Sequence, residues 1–224
     1  MNIKVFGELF FERNQNDPLL DHIIICIFGL LKEHITTLVL ANKNNLNIYN
    51  DIKRLILECL KKRYLNLDSP TYIMRNYICD CISILIISGI TCSWKTCIQD
   101  LIAESKNGNP ELIFISLRSI ADCNIIMNFY SKEIKDEETD DWGWNDNLNI
   151  KNDEKNEIKD KLIENTDIVF DFIRCVYSNI NTIEKTLKNR IIKAIVDLTI
   201  FWTNLNLNIL TNQNIFIIMM ELIN

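Results

Sequence analysis

From about residue 48 onward, apolar residues recur at three- and four-residue spacing, in paired segments separated by short stretches rich in Asn, Ser, Gly and Pro. That spacing lays one apolar stripe along each helix. A pair of striped helices cannot bury both stripes by itself, so successive pairs must lie against one another. The expected fold is therefore all-α, with helical hairpins stacked into an α-α superhelix. Five glycines and three prolines in 224 residues leave too few turns for an all-β chain. A stack of hairpins offers an extended surface rather than a reaction chamber, which points to binding.

The breaker residues set the expected boundaries. Asp17–Pro18 opens a helix to about His34, and a short helix over Ile35–Ala41 ends in the Asn-rich stretch Asn42–Asn47. Asn50 or Asp51 opens the next, reaching Leu65, with Ile52, Leu55, Ile56, Cys59 and Leu60 on one face. Ser69–Pro70 caps its partner, striped by Ile73, Tyr77, Cys81, Ile84 and Leu85 and ended by Gly89 as a C-terminal glycine. Ser93 caps a shorter helix bearing Trp94, Cys97, Ile98, Leu101 and Ile102, and Gly108–Asn109–Pro110 starts another to about Phe129 through Ile113, Leu117, Ile120 and Ala121. One long helix is expected from Glu154 to about Ser178, striped by Leu162, Thr166, Val169, Ile173 and Val176. Asn181–Thr182 caps the next, with Leu187, Ile191, Ile195, Leu198 and Trp202 inward. The last segment, 206–224, holds Ile215–Met220 with no following partner, so the chain reads as a piece of a longer one.

First helices of successive pairs begin near 51, 94, 154 and 207. The outer intervals, about 43 and 53 residues, lie near the roughly 40–47 of HEAT and armadillo units, and two helices per unit rather than three favour HEAT. The middle interval is longer because it contains an acidic insertion. The expected organisation is a weakly matching first repeat over 1–47, HEAT-type repeats over 48–131, an acidic loop over 132–153 and further repeats over 154–224.

The formal charge is −6, and residues 132–160 supply all of it, with eleven carboxylates against five lysines. The remainder is neutral on balance and lacks the basic footprint of a nucleic-acid binder. The acidic loop has too few aliphatic residues to offset its ordering entropy and is expected to be flexible. Its Trp142–Gly143–Trp144 either folds back on the helices or docks on a partner. Eight cysteines, none in CxxC spacing, lie mostly in apolar stretches and read as reduced thiols acting as small hydrophobes. Only His22 and His34 could join them, so neither a metal site nor a cofactor is expected. No apolar run reaches the roughly 18 residues of a membrane helix. No catalytic arrangement can be built from the spacing, and an enzyme is not expected.

Ser93–Trp94–Lys95–Thr96–Cys97–Ile98–Gln99–Asp100–Leu101–Ile102 resembles the tryptophan-led string that opens a HEAT repeat in importin-β-like nuclear transport receptors (karyopherins), most closely the transportin-SR branch. Ile52–Tyr64 and Ser69–Ser88 resemble that branch's preceding helix pair, and Pro110–Ile120 its proline-led partner helix. Val169–Cys175 and Ile195–Trp202 resemble a later pair. The likeness spans about residues 48–224. It departs at Ile120–Ala121–Asp122–Cys123, where the family has a Leu-Pro-Glu-Glu turn, and residues 1–47 align weakly.

The resemblance implies the amino-terminal region of a receptor that binds Ran in its GTP form, protein cargo and nucleoporins, and shuttles between nucleus and cytoplasm. In such arches the second helix of each pair lines the concave face. The matching helices here begin near Pro70, Pro110 and Thr182, which makes Arg75, Asp80, Arg118, Asp122, Lys188 and Lys193 the candidate partner-binding residues. Trp94 and Trp202 are the expected core anchors. The alternative is an armadillo- or HEAT-like scaffold whose partners are unrelated to Ran.

Overall fold

A computed structural model describes residues 22, 26–29, 46–59, 72–105, 110–120, 152–205, 217 and 220. Seven α-helices have described bounds: α1 Leu46–Cys59, α2 Tyr72–Gly89, α3 Cys97–Ser105, α4 Glu111–Ser119, α5 Asn152–Glu164, α6 Thr166–Ser178 and α7 Lys185–Leu205. A 3₁₀ turn, Ile180–Thr182, precedes α7. Residues 22, 26–29, 217 and 220 are also helical, and no strand occurs among the described residues. The all-α expectation therefore holds.

The helices pack in a consistent way. α4 lies between α2 and α7, α1 packs on α2, and α3 packs on both α4 and α6. α1 presents Tyr49, Ile52, Leu55 and Ile56 to the core, the expected face. It begins earlier than Asn50, however, and takes in Asn47 from the expected break. The extra turn brings Tyr49 into the interior, where its hydroxyl donates to the Leu85 carbonyl at 2.8 Å, and this outweighs the weak helix preference of asparagine.

α2 departs from a simple stripe. Ile78, Cys79, Ile82, Ile86 and Ile87 are buried along with the expected Cys81, Ile84 and Leu85. A helix that is apolar all round must be covered on several sides, and this one is. α1 and α4 flank it, and the helical residues 26–29 approach it, with the Cys81 thiol 4.0 Å from the Phe28 carbonyl. Ser83 and Ser88 remain compatible with this burial because each hydroxyl bonds a preceding helical carbonyl, Asp80 and Ile84 respectively.

Gly89 is the last residue of α2, as expected, but for a different reason. Its φ is not in the left-handed region. Instead, a Cβ there would fall on the Tyr49 hydroxyl, 2.7 Å from Tyr49 Cζ and 3.1 Å from Trp94 Cβ. The glycine is a point of close approach rather than a left-handed cap.

Three further boundaries differ from expectation. α3 starts at Cys97, not at Ser93, and Trp94 sits in the turn before it, its N–H bonded to the Gly89 carbonyl at 2.7 Å. The expected helix 154–178 is broken into α5 and α6 at Asn165, whose backbone (φ −92°, ψ 5°) leaves the helical range. α7 is capped by Glu184 rather than by Asn181–Thr182, which form the 3₁₀ turn. The Glu184 carboxylate accepts from the N–H groups of Thr186 at 3.0 Å and Leu187 at 3.2 Å. α4 opens at Pro110, as its fixed φ favours, and its described part closes at Ile120. The expected continuation to Phe129, the helix over Ile35–Ala41, the Ser69–Pro70 cap and the acidic loop lie outside the described residues.

The stripes of α6 and α7 meet the core largely as expected, through Val169 and Ile173 on one and Ile191, Ile195, Leu198 and Trp202 on the other. Phe172 adds a contact to Phe114 of α4, ring centroids 4.8 Å apart. No helix among the described residues is long and apolar enough to cross a membrane.

Candidate interaction surface

Five of the six candidate partner-binding residues lie on α2, α4 and α7, in unequal settings. Arg118 near the end of α4 and Lys193 on α7 are exposed. Asp80 on α2 and Lys188 on α7 are partly buried. The Lys188 ammonium donates to Asn181 Oδ1 at 2.7 Å and so ties the 3₁₀ turn to the first turn of α7. Arg75 belongs to α2, while Asp122 and the loop bearing Trp142 and Trp144 lie outside the described residues.

Trp94 and Trp202 are 3% and 0% exposed. Burying an indole requires a partner for its N–H, and both have one. Trp94 Nε1 donates to Asp100 Oδ2 at 2.7 Å, and the same oxygen accepts from the Thr96 hydroxyl at 3.0 Å. The Lys53 ammonium stands 5.1 Å from the centroid of the Trp94 rings, within cation–π range. Trp202 Nε1 donates to Thr166 Oγ1 at 3.0 Å, and that hydroxyl donates to the Ile163 carbonyl at 2.6 Å. Both rings are thereby committed to the interior.

Two polar links join elements far apart in sequence. Glu111, in the first turn of α4 and 3% exposed, receives Arg190 of α7 in a fork: Nε to Oε1 at 3.0 Å and Nη2 to Oε2 at 2.8 Å. This geometry suits the rigid guanidinium and fixes α4 against α7. The second link runs from Gln99 Nε2 on α3 to Asn165 Oδ1 at the α5–α6 break, 2.7 Å. Neither was foreseen. The partners stand 79 and 66 positions apart, and helical periodicity relates residues only within one helix. The one local signal was the pair Asn165–Thr166, since such side chains compete for backbone groups inside helices.

The thiols behave as core atoms where they are buried. Burial pushes the Cys97 thiol up to about 12, so it stays protonated near neutrality, and Cys79 and Cys81 are likewise enclosed. Cys26, Cys92 and Cys175 are exposed. Burial, the largest cause, also raises the Tyr49 phenol well above its ordinary value and keeps it a hydrogen-bond donor. Among the described residues no group of three or more His, Cys, Asp or Glu side chains could hold a metal ion. Arg118 and Lys193 place positive charge at exposed positions of α4 and α7. No family model matches the chain, and no curated protein and no solved structure matches it.

Proposed function

We propose that the chain is a protein-binding scaffold of HEAT-type hairpins, with a partner received at the side where Arg118 of α4 and Lys193 of α7 reach solvent. The observation that carries this reading is the packing of α4 between α2 and α7 while α3 packs on α6. Side-by-side hairpins produce that pattern, second helices in one layer and first helices in the other. Solvent-facing Arg118 and Lys193 supply cations on two neighbouring members of the second-helix layer. They would favour a partner with acidic groups.

The narrower proposal rests on the tryptophan-led string at Ser93–Ile102 and its flanking helix pairs. In it the chain is the amino-terminal segment of an importin-β-like transport receptor that binds Ran-GTP, protein cargo and nucleoporins. Immobilised chain should then retain Ran locked in its GTP form and not Ran-GDP, and charge reversal at Arg118 and Lys193 should weaken retention. Equal capture of both nucleotide states, or capture of neither, would overturn the receptor reading. A scaffold for unrelated partners would remain.

A further inference from the structure

The junction of α5 and α6 is bonded to a helix distant in sequence. Asn165 is 7% exposed, and its side chain works in two directions. Nδ2 donates to the Lys161 carbonyl in the last turn of α5 at 2.8 Å, while Oδ1 accepts from Gln99 Nε2 on α3 at 2.7 Å. One amide thus connects the end of α5 to a different hairpin. Thr166, the next residue, accepts from Trp202 Nε1 on α7 at 3.0 Å and donates back to the Ile163 carbonyl of α5 at 2.6 Å, a local contact that spans the joint.

The apolar hold on the two helices is unequal. α6 buries Val169, Phe170, Phe172 and Ile173, whereas α5 buries Ile158 and Leu162, with Ile163 partly buried against the same core. Asp153, Asn156, Glu157, Asp160 and Glu164 of α5 face solvent. A helix with so small an apolar footing belongs to the low end of local stability.

We propose that α5 is a hinged arm that swings about Asn165 independently of α6 and α7, and that the relay from Gln99 through the Asn165 amide to the Lys161 carbonyl is its latch. The motion follows from the joint itself and does not depend on which partner the scaffold takes.

Hydrogen exchange with mass-spectrometric readout on the whole chain tests this. In Gln99→Leu, peptides covering 156–164 should exchange about tenfold faster, with α6 and α7 changing less than about twofold. Asn165→Asp keeps the acceptor for Gln99 but removes the donor to Lys161, and should give the same selective rise. If either variant fails to fold, the unaltered chain in graded, sub-denaturing urea should lose protection in α5 before α6 and α7. Protection lost equally in all three helices, no change in α5, or an α5 without protection in the unaltered chain would each overturn the hinge.

Discussion

Replacing Gly89 by alanine distinguishes a close-approach glycine from an ordinary helical one. At a permissive helical position the change stabilises by about 0.5–1 kcal/mol, because glycine loses more backbone freedom on folding. Here the new methyl would lie on the Tyr49 hydroxyl, with Tyr49 Cζ at 2.7 Å and Trp94 Cβ at 3.1 Å. Tyr49 cannot yield cheaply, since the residue is 5% exposed and its hydroxyl holds the Leu85 carbonyl at 2.8 Å. Overpacking of this kind costs about 1–3 kcal/mol. Loss of the Tyr49 hydrogen bond adds about 0.5–1.5 kcal/mol. After subtracting the propensity gain, Gly89→Ala should destabilise by about 0.5–4 kcal/mol, read from urea unfolding followed by circular dichroism. In a Tyr49→Phe background the atom nearest the methyl is gone, so the same alanine should cost less, a non-additivity expected of touching residues. An alanine variant as stable as the parent, or more so, would refute the steric reading. Strict additivity with Tyr49→Phe would show that Tyr49 is not the obstacle.

Other perturbations follow from the same geometry. Arg190→Ala removes the fork from a Glu111 side chain that is 4% exposed and should cost about 2–3 kcal/mol in urea unfolding, the low side of a broken buried pair because the Arg190 side chain is 28% exposed. Loss below about 0.5 kcal/mol would contradict the clamp between α4 and α7. Thiol labelling of the native chain at pH 8 should reach Cys26, Cys92 and Cys175 and spare Cys79, Cys81 and Cys97 until denaturant is added, with peptide mapping as the readout. The exposed Glu184 carboxyl is held below its ordinary range, first by the Thr186 hydroxyl and then by the Thr186 and Leu187 N–H groups. A depressed folded pKa means that this cap contributes above the unfolded pKa and is lost as pH falls through the folded one. Thr186 and Leu187 amides, corrected for intrinsic rates, should therefore lose protection on acidification, and Glu184→Gln should abolish that dependence.

The helical stripes were legible because each is written within one segment. Ile52 and Ile56, Val169 and Ile173, and Ile191, Ile195, Leu198 and Trp202 could be placed inward from spacing alone, and all are buried. The all-α class followed from the same spacing together with the scarcity of glycine and proline. Boundaries were less legible wherever a tertiary contact outweighed a local preference. Tyr49 drew α1 back through Asn47, and the bonds of Asn165 and Thr166 divided what periodicity reads as one helix. For a candidate partner-facing side, helical spacing offered only charges on expected second helices, with no sign that Lys188 is tied to Asn181.

Amino-acid order alone thus determined that the chain is helical and which side of most helices is dry, since burial of a stripe depends on residues one turn apart. Only the assembled structure decided which helices touch, why Gly89 must lack a side chain, and how Gln99 meets Asn165 and Arg190 meets Glu111. Those features join groups from different helices. Their energy exists only after the chain has brought distant segments together, so no local pattern encodes them.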